Sequence, residues 1–295
     1  MKFSSLLEVC NSAREGYYAL PAINVVDENS LRAVVDAAQE SKSAVILQLS
    51  VKTVRQWGLQ QITSAAEHAS AGVSVPVVLH LDHCPDIELC KKVIDAGWSS
   101  VLMDVSAFPD EQVEPILSEI CSYAHDRGAT VEIEVENILG VEDGVGTDEV
   151  LRSCTIEELL DIAKSAGADL LAPQLGTAHG VYKSEPVLQP ERARKFMELA
   201  DIPIVLHGGT GLRDSDFAEF IKAGVSKINI STDLKIAYID AAQKFVSQKS
   251  SGSCDSLGIE TWQSKEPLDL IRSQYDAVKG MAKRYMKVFK SEGKI

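Results

Sequence analysis

The chain has 295 residues, 45% of them hydrophobic, with a formal net charge of −14. That is enough apolar sequence for a large core, in two small domains or in one α/β barrel of about 250 residues. The acidic balance argues against nucleic acid and anionic membrane surfaces as partners, and no uncharged run is long enough to span a bilayer.

The N-terminal "MKFSSLLEVCNSAREG" has an apolar patch broken by Glu8 and no small-residue cleavage site, so a cytoplasmic protein is expected. Short apolar or β-branched runs then recur, each followed by a helical pattern. The first four are "AINVV" from Ala22, "AVILQLS" from Ala44, "PVVLHLDH" from Pro76 and "SVLMDVS" from Ser100. "TVEIEVEN" from Thr130, "DLLAPQLGTAHG" from Asp169, "PIVLHGGTG" from Pro203 and "KINISTD" from Lys227 follow. Amphipathic stretches such as "SLRAVVDAAQES" and "TIEELLDIAKSAG" lie between them, several stopped by a C-capping glycine. Strand, helix and strand at intervals of roughly thirty residues is the βαβ signature, and eight such units close a (β/α)8 TIM barrel, an α/β fold. One barrel domain over 1–295 is expected. Its last part, 249–295, reads as a Ser/Gly-rich linker and a helical tail that extends the barrel at its C-terminus.

The polar residues gather where such a barrel keeps its active site, at the C-terminal strand ends. Of six histidines, four lie there: His80 and His83 in "HLDHC", His179 in "GTAHG" and His207 in "HGGTG". Alternation puts His80 and Asp82 on one face, and His83 joins them only if the strand has given way by that point. His83, His179 and His207 can surround one ion at the barrel mouth, and three imidazoles with an open fourth position describe a catalytic zinc site. The six cysteines form no CxxC pair, which argues against a zinc ribbon or a disulfide scaffold. Gly208, Gly209 and Gly211 allow close approach to an anion, Thr210 and Thr232 offer hydroxyls, and Lys183 adds a charge, so the last two strand ends read as a phosphate site. Glu132, Glu134 and Glu136 alternate along the fifth strand, where an unpaired carboxylate has no easy home, and Glu142 and Asp143 follow in a glycine-punctuated loop. A zinc hydrolase would carry histidines on the first strand, and "PAINVV" has none.

Together "HLDHC", "EIEVENILGVEDG", "GTAHGVYK", "HGGTG" and "INISTD" resemble, in this order, the class II, zinc-dependent fructose-bisphosphate and tagatose-bisphosphate aldolases. The resemblance implies a TIM barrel that reversibly cleaves a ketose bisphosphate to dihydroxyacetone phosphate and an aldehyde. It implies zinc on His83, His179 and His207, Asp82 as the acid/base for the C4 hydroxyl, and Glu142 as the carrier of the C3 proton. Gly180, Gly208, Thr210, Asn229 and Thr232, with Lys183 nearby, correspond to the donor-phosphate positions, and Gly209 and Ser231 beside them are further substrate-binding candidates. Asn24 and Ser50 correspond to substrate contacts. Asp104 and Glu134 correspond to a second metal position in longer members, and a monovalent cation is a further implied ligand.

The chain departs from the family pattern at "LG" (Leu139, Gly140) before the loop glutamate and at Ser231, where many fructose enzymes have Asp. Arg272 and Arg284 match no motif for a second phosphate. An aldolase of a different ketose 1-phosphate and a non-catalytic metal-binding relative are the alternative readings. A homodimer or homotetramer is expected, with the apolar stripe of the tail "LDLIRSQYDAVKGMAKRYMKVF" packed on a partner subunit.

Overall fold

In the computed structural model, residues 2–142, 145–182, 185–254, 260–262 and 266–295 are described. Eight parallel strands close into a barrel in the order β1 (Leu20–Asn24), β10 (Val225–Ile230), β9 (Ile204–Leu206), β8 (Leu170–Leu171), β5 (Thr130–Glu134), β4 (Ser100–Asp104), β3 (Val77–Cys84) and β2 (Val45–Ser50). The strands overlap the apolar runs of the sequence, but β1 and β10 begin two residues before theirs, and several stop short of the C-terminal ends of their runs. "DLLAPQLGTAHG" contributes only two strand residues, because the segment after Leu171 leaves the sheet.

The period-two alternation sorts the strand side chains into two cores. Ile23, Leu47, Leu79, Leu81, Val101 and Ile133 face the helices in one large cluster. Leu20, Ala22, Ile46, Val78, Leu170 and Val205 belong to a second cluster inside the barrel. Leu6, Cys10 and Ala13 of the first helix, α1 (Leu6–Glu15), join that inner cluster. The N-terminal apolar patch is therefore an amphipathic helix that plugs the lower mouth of the barrel, which leaves only the upper mouth for a site. Ser5 caps this helix by accepting from the Glu8 N–H.

Three expectations are corrected. The stripe of the C-terminal helix α11 (Pro267–Val288) does not await a partner: Val278, Ala282, Tyr285 and Met286 are buried, and the helix packs on α2 (Glu28–Ser41) and α10 (Thr232–Lys249) of its own barrel. The Tyr285 and Tyr275 hydroxyls donate to Asp233 and Asp36, tying the helix down at both neighbours. α11 also contacts β1, so it lies directly on the barrel. The Ser/Gly-rich stretch is likewise not a plain linker, since β11 (Ser250–Cys254) pairs antiparallel with β12 (Glu260–Trp262). A second ribbon, β6 (Gly140–Glu142) with β7 (Val145–Thr147), stands where a loop was expected after the fifth barrel strand. Cys10, Cys84, Cys90 and Cys121 are free and buried, as the sequence suggests, and Cys154 is free and half-buried.

Candidate active site

The end of β3 carries the feature on which the site depends. Leu81 pairs with Val101 and Cys84 with Met103, so three steps along β3 match two along β4. The extra residue is a β-bulge, and within it His83 adopts φ 43°, a left-handed conformation uncommon for a residue with a Cβ. In a regular strand His83 would point away from Asp82. The bulge turns it into the barrel mouth, and such local strain is characteristic of functional positions.

Three imidazoles meet there. The ring of His83 lies 4.8 Å from that of His179 and 4.7 Å from that of His207, and the last two are 6.0 Å apart. One nitrogen from each falls within 4.8 Å of the others, a group able to hold a metal ion. His83, Asp104 and Glu134 form a second such group sharing the same histidine. Nδ1 of His83 stands 3.4 Å from Asp104 and 3.6 Å from Glu134, while its Nε2 is buried and makes no hydrogen bond among the described residues. A buried imidazole nitrogen with no partner suits a cation, so the residues present fit a zinc ion.

The carboxylates around this cluster divide the work of orientation. Glu132 accepts from Nε2 of His207 at 2.9 Å, and Glu134 stands 2.9 Å from its Nδ1. A carboxylate on the far nitrogen of a candidate metal-binding histidine fixes its tautomer and ring plane. Burial would lower the pKa of His83, but Asp82, Glu134 and Asp104 outweigh it and hold it well above the ordinary imidazole value. Burial, with Asp104 adding to it against the pull of His83, pushes Glu134 well above the usual carboxylate range. Asp104 moves the other way: burial is overcome by hydrogen bonds from His83 and from the Ser106 hydroxyl and amide, the latter two at 2.7 and 3.0 Å.

Asp82 is held from two sides. Asn24 donates to Oδ2 at 2.8 Å and Asn229 to Oδ1 at 3.4 Å. Gln48 in turn donates to Asn24 at 2.8 Å, and Lys227 donates to Asn229 at 2.8 Å. The carboxylate thus sits in a fixed orientation, 3.9 Å from Nε2 of His83. His80 lies one layer deeper on the same strand face, with Nδ1 2.8 Å from the Ser100 hydroxyl, and burial followed by the charge of Lys227 keeps it well below its ordinary pKa.

The glycine-rich strand ends are closely packed. Gly208 has φ 68°, and a Cβ there would meet the Ala178 carbonyl oxygen at 2.3 Å. Tyr182 stitches the same two loops together, donating to the Gly208 carbonyl at 2.7 Å and accepting from the Ala178 N–H at 3.3 Å. Gly209 approaches the Asn229 carbonyl, Gly180 has φ 81°, and Thr210 accepts from the Asp233 N–H at 3.3 Å. Ser231 is buried beside Thr232, the first residue of α10, and its hydroxyl has no hydrogen-bond partner among the described residues.

Of the residues singled out in the sequence, Asn24, Asp82, His83, Asp104, Glu134, His179, His207 and Asn229 are drawn into this cluster. Ser50 lines the same mouth, but its hydroxyl also accepts from the Thr53 N–H at 3.3 Å as the N-cap of α3 (Val51–Trp57). The Glu142 side chain and Lys183 lie outside the described residues. Gln48, Lys227 and Ser106 were not foreseen, although the first two stand two positions before a predicted site residue on the same strand face.

The sequence matches the family described as fructose-bisphosphate aldolase class-II over residues 4–294. It is 35% identical to the fructose-bisphosphate aldolase of Geobacillus stearothermophilus, covering all of this chain and 99% of the relative. It is 34% identical to the 6-phospho-5-dehydro-2-deoxy-D-gluconate aldolase of Bacillus licheniformis, covering all of this chain and 97% of that one. The fold superposes on a putative fructose-1,6-biphosphate aldolase from Coccidioides immitis with a TM-score of 0.86 at 26% identity, over all of this chain and 99% of the other. A match of that extent, on a barrel whose upper mouth gathers the histidines and carboxylates described above, makes this chain a member of the class II fructose-bisphosphate aldolase family and an aldolase, a carbon–carbon lyase.

Proposed function

We propose that the enzyme cleaves a ketose 1,6-bisphosphate reversibly to dihydroxyacetone phosphate and glyceraldehyde 3-phosphate, with zinc on His83, His179 and His207. The observation that carries this reading is the convergence of those three imidazoles beside an Asp82 carboxylate clamped by two asparagines. A bound zinc ion would act as a Lewis acid for the negative charge left on the donor half when C3–C4 breaks, without a Schiff-base lysine. Asp82 takes the C4 hydroxyl proton as that carbon becomes the aldehyde carbonyl, and Glu142 delivers a proton to C3. Gly180, Gly208, Gly209, Thr210, Asn229, Ser231 and Thr232, with Lys183, hold the donor phosphate through backbone N–H groups and hydroxyls. Asp104 and Glu134 orient His83 or hold a second cation.

Fructose 1,6-bisphosphate is the first candidate and tagatose 1,6-bisphosphate the second, because Ser231 departs from a pattern common among the fructose enzymes. The relative named for a phosphorylated gluconate supports a third substrate class, a ketose phosphate ending in a carboxylate. Comparing kcat/KM for these substrates in a coupled assay tests the reading, and absence of turnover with every one of them refutes it.

The cytoplasmic homo-oligomer remains our reading. Ile236 (43% exposed) and Ile239 (55%) on α10, with Leu268 (68%) on α11, offer an apolar surface in place of the buried stripe of α11. A monomer by light scattering at micromolar concentration would refute it.

A further inference from the structure

We infer that Lys52 and Arg55, on the short helix after β2, form a subsite for a terminal anion on the aldehyde half of the substrate, a phosphate or a carboxylate. The inference rests on the aldolase reading and assigns the end of the substrate that no motif addresses.

A cavity of about 690 Å³ opens at the barrel mouth, and Asp82, His83 and His179 line its floor. Its walls come from the ends of β2 to β5 and from Gly146 and Thr147 of the second ribbon strand, and its β2 wall includes Lys52, Arg55 and Gln56. None of the glycine-rich strand-end residues proposed for the donor phosphate lines it. The space beside Asp82 therefore extends away from the donor end, in the direction that C5 and C6 must take if Asp82 handles the C4 hydroxyl.

The helix presents its cations deliberately. Ser50, paired in register with Asp82, ends β2 and caps α3, so the helix starts at the lip of the site. Residues 52, 55 and 56 stand three and four apart and share one face. Val54, on the opposite side, is buried and anchors the helix. Lys52 and Arg55 are separated by about 4.5 Å along the axis, a spacing that lets both reach one tetrahedral or planar anion. Both are exposed, and neither forms a hydrogen bond or an ion pair with another described residue.

The chain carries 43 acidic against 29 basic residues, and many of its other surface cations, such as Lys91, Arg127 and Lys279, are engaged by carboxylates. Asp82 and Asp104 put carboxylates on the floor of the cavity, which disfavour an incoming anion unless positive charge stands further out. Arg55 supplies a planar fork suited to phosphate or carboxylate, and Lys52 a mobile point charge.

The test compares kcat/KM for three ketose 1-phosphates, with C6 bearing a phosphate, a carboxylate or an uncharged hydroxyl. It uses the zinc-loaded full chain, its Lys52→Ala, Arg55→Ala and doubly substituted variants, and Lys222→Ala, which removes an exposed charge on α9 (Asp214–Lys222) outside the cavity. Exchange of the C3 proton of dihydroxyacetone phosphate, which needs the donor half alone, is followed in each protein. The expected result is a fall of at least tenfold in the ratio of charged-end to uncharged-end kcat/KM for each single substitution. The loss should be larger for the double, expressed mainly in KM, and absent in Lys222→Ala. An unchanged ratio in the double variant with donor exchange intact overturns the subsite alone, as does an equal loss for all three substrates or a wild-type preference for the uncharged end. Failure of the wild type to exchange the donor proton overturns the aldolase reading and this inference with it.

Discussion

Lys227 and Glu132 form an ion pair of 2.8 Å inside the barrel, both wholly removed from solvent. The same Glu132 accepts from His207, and the same Lys227 donates to Asn229, which donates to Asp82. One buried pair thus underlies both the histidine cluster and the proposed acid/base, and it joins them through side chains from β3, β5 and β10 and from His207, the residue after β9.

Removing either partner of that pair should be costly, because the other is left as an uncompensated buried charge. Lys227→Met is expected to lose about 3–5 kcal/mol of stability. Lys227→Met combined with Glu132→Leu should recover part of that loss while still binding zinc more weakly, about 10- to 100-fold, since His207 then lacks its orienting carboxylate. Denaturant unfolding and metal titration of the three proteins check this. Full zinc affinity in the double variant would remove Glu132 from the role of orienting His207.

Asp82→Ala should abolish ketose cleavage, with a loss of about 10²–10⁴-fold, while still permitting exchange of the C3 proton of dihydroxyacetone phosphate. Glu142→Ala should do the reverse for the first step, slowing exchange with zinc content unchanged. Asn24→Ala should reproduce a milder form of the Asp82 defect, because it frees one oxygen of the carboxylate held at 2.8 Å. Equal loss of exchange in the Asp82 and Glu142 variants would contradict the division of roles.

Chelation should abolish cleavage, and stoichiometric zinc should restore it. The apo protein should melt at a lower temperature than the loaded one, because an ion that binds only the folded cluster stabilises it by mass action. Borohydride added together with dihydroxyacetone phosphate should leave activity intact, since no Schiff base forms. Inactivation by borohydride would sink the zinc mechanism.

Two glycine substitutions should have opposite signs. Gly208→Ala places a methyl 2.3 Å from the Ala178 carbonyl oxygen at φ 68°, and should cost about 1–3 kcal/mol and raise KM for the donor. Gly280→Ala, in the exposed interior of α11 with nothing within 4 Å of the new methyl, should add about 0.5–1 kcal/mol. Thermal unfolding compares the two directly.

Barrel architecture, the order of its strands and the presence of a histidine cluster at their C-terminal ends follow from sequence alone. Hydrophobic period is a local property, and eight repeats of strand and helix leave few closed arrangements. On the third strand the shared face was legible for the same reason: once Asp82 points in, His80 and Val78 must too. The parts that escaped are those where backbone or partner departs from period. His83 reaches the site only through a bulge that pairs three steps of β3 with two of β4, and no pattern in "HLDHC" distinguishes that from an ordinary turn. The apolar stripe of α11 is the same whether it faces a partner or its own barrel. Only the surface that α2 and α10 present to it in the tertiary structure sends it home. Gln48 and Lys227 likewise read as scattered polar residues, and Glu132 as one of three alternating glutamates in want of a partner, until closure of the barrel brings β2, β5 and β10 to one centre, where Lys227 pairs with Glu132 and Gln48 donates to Asn24.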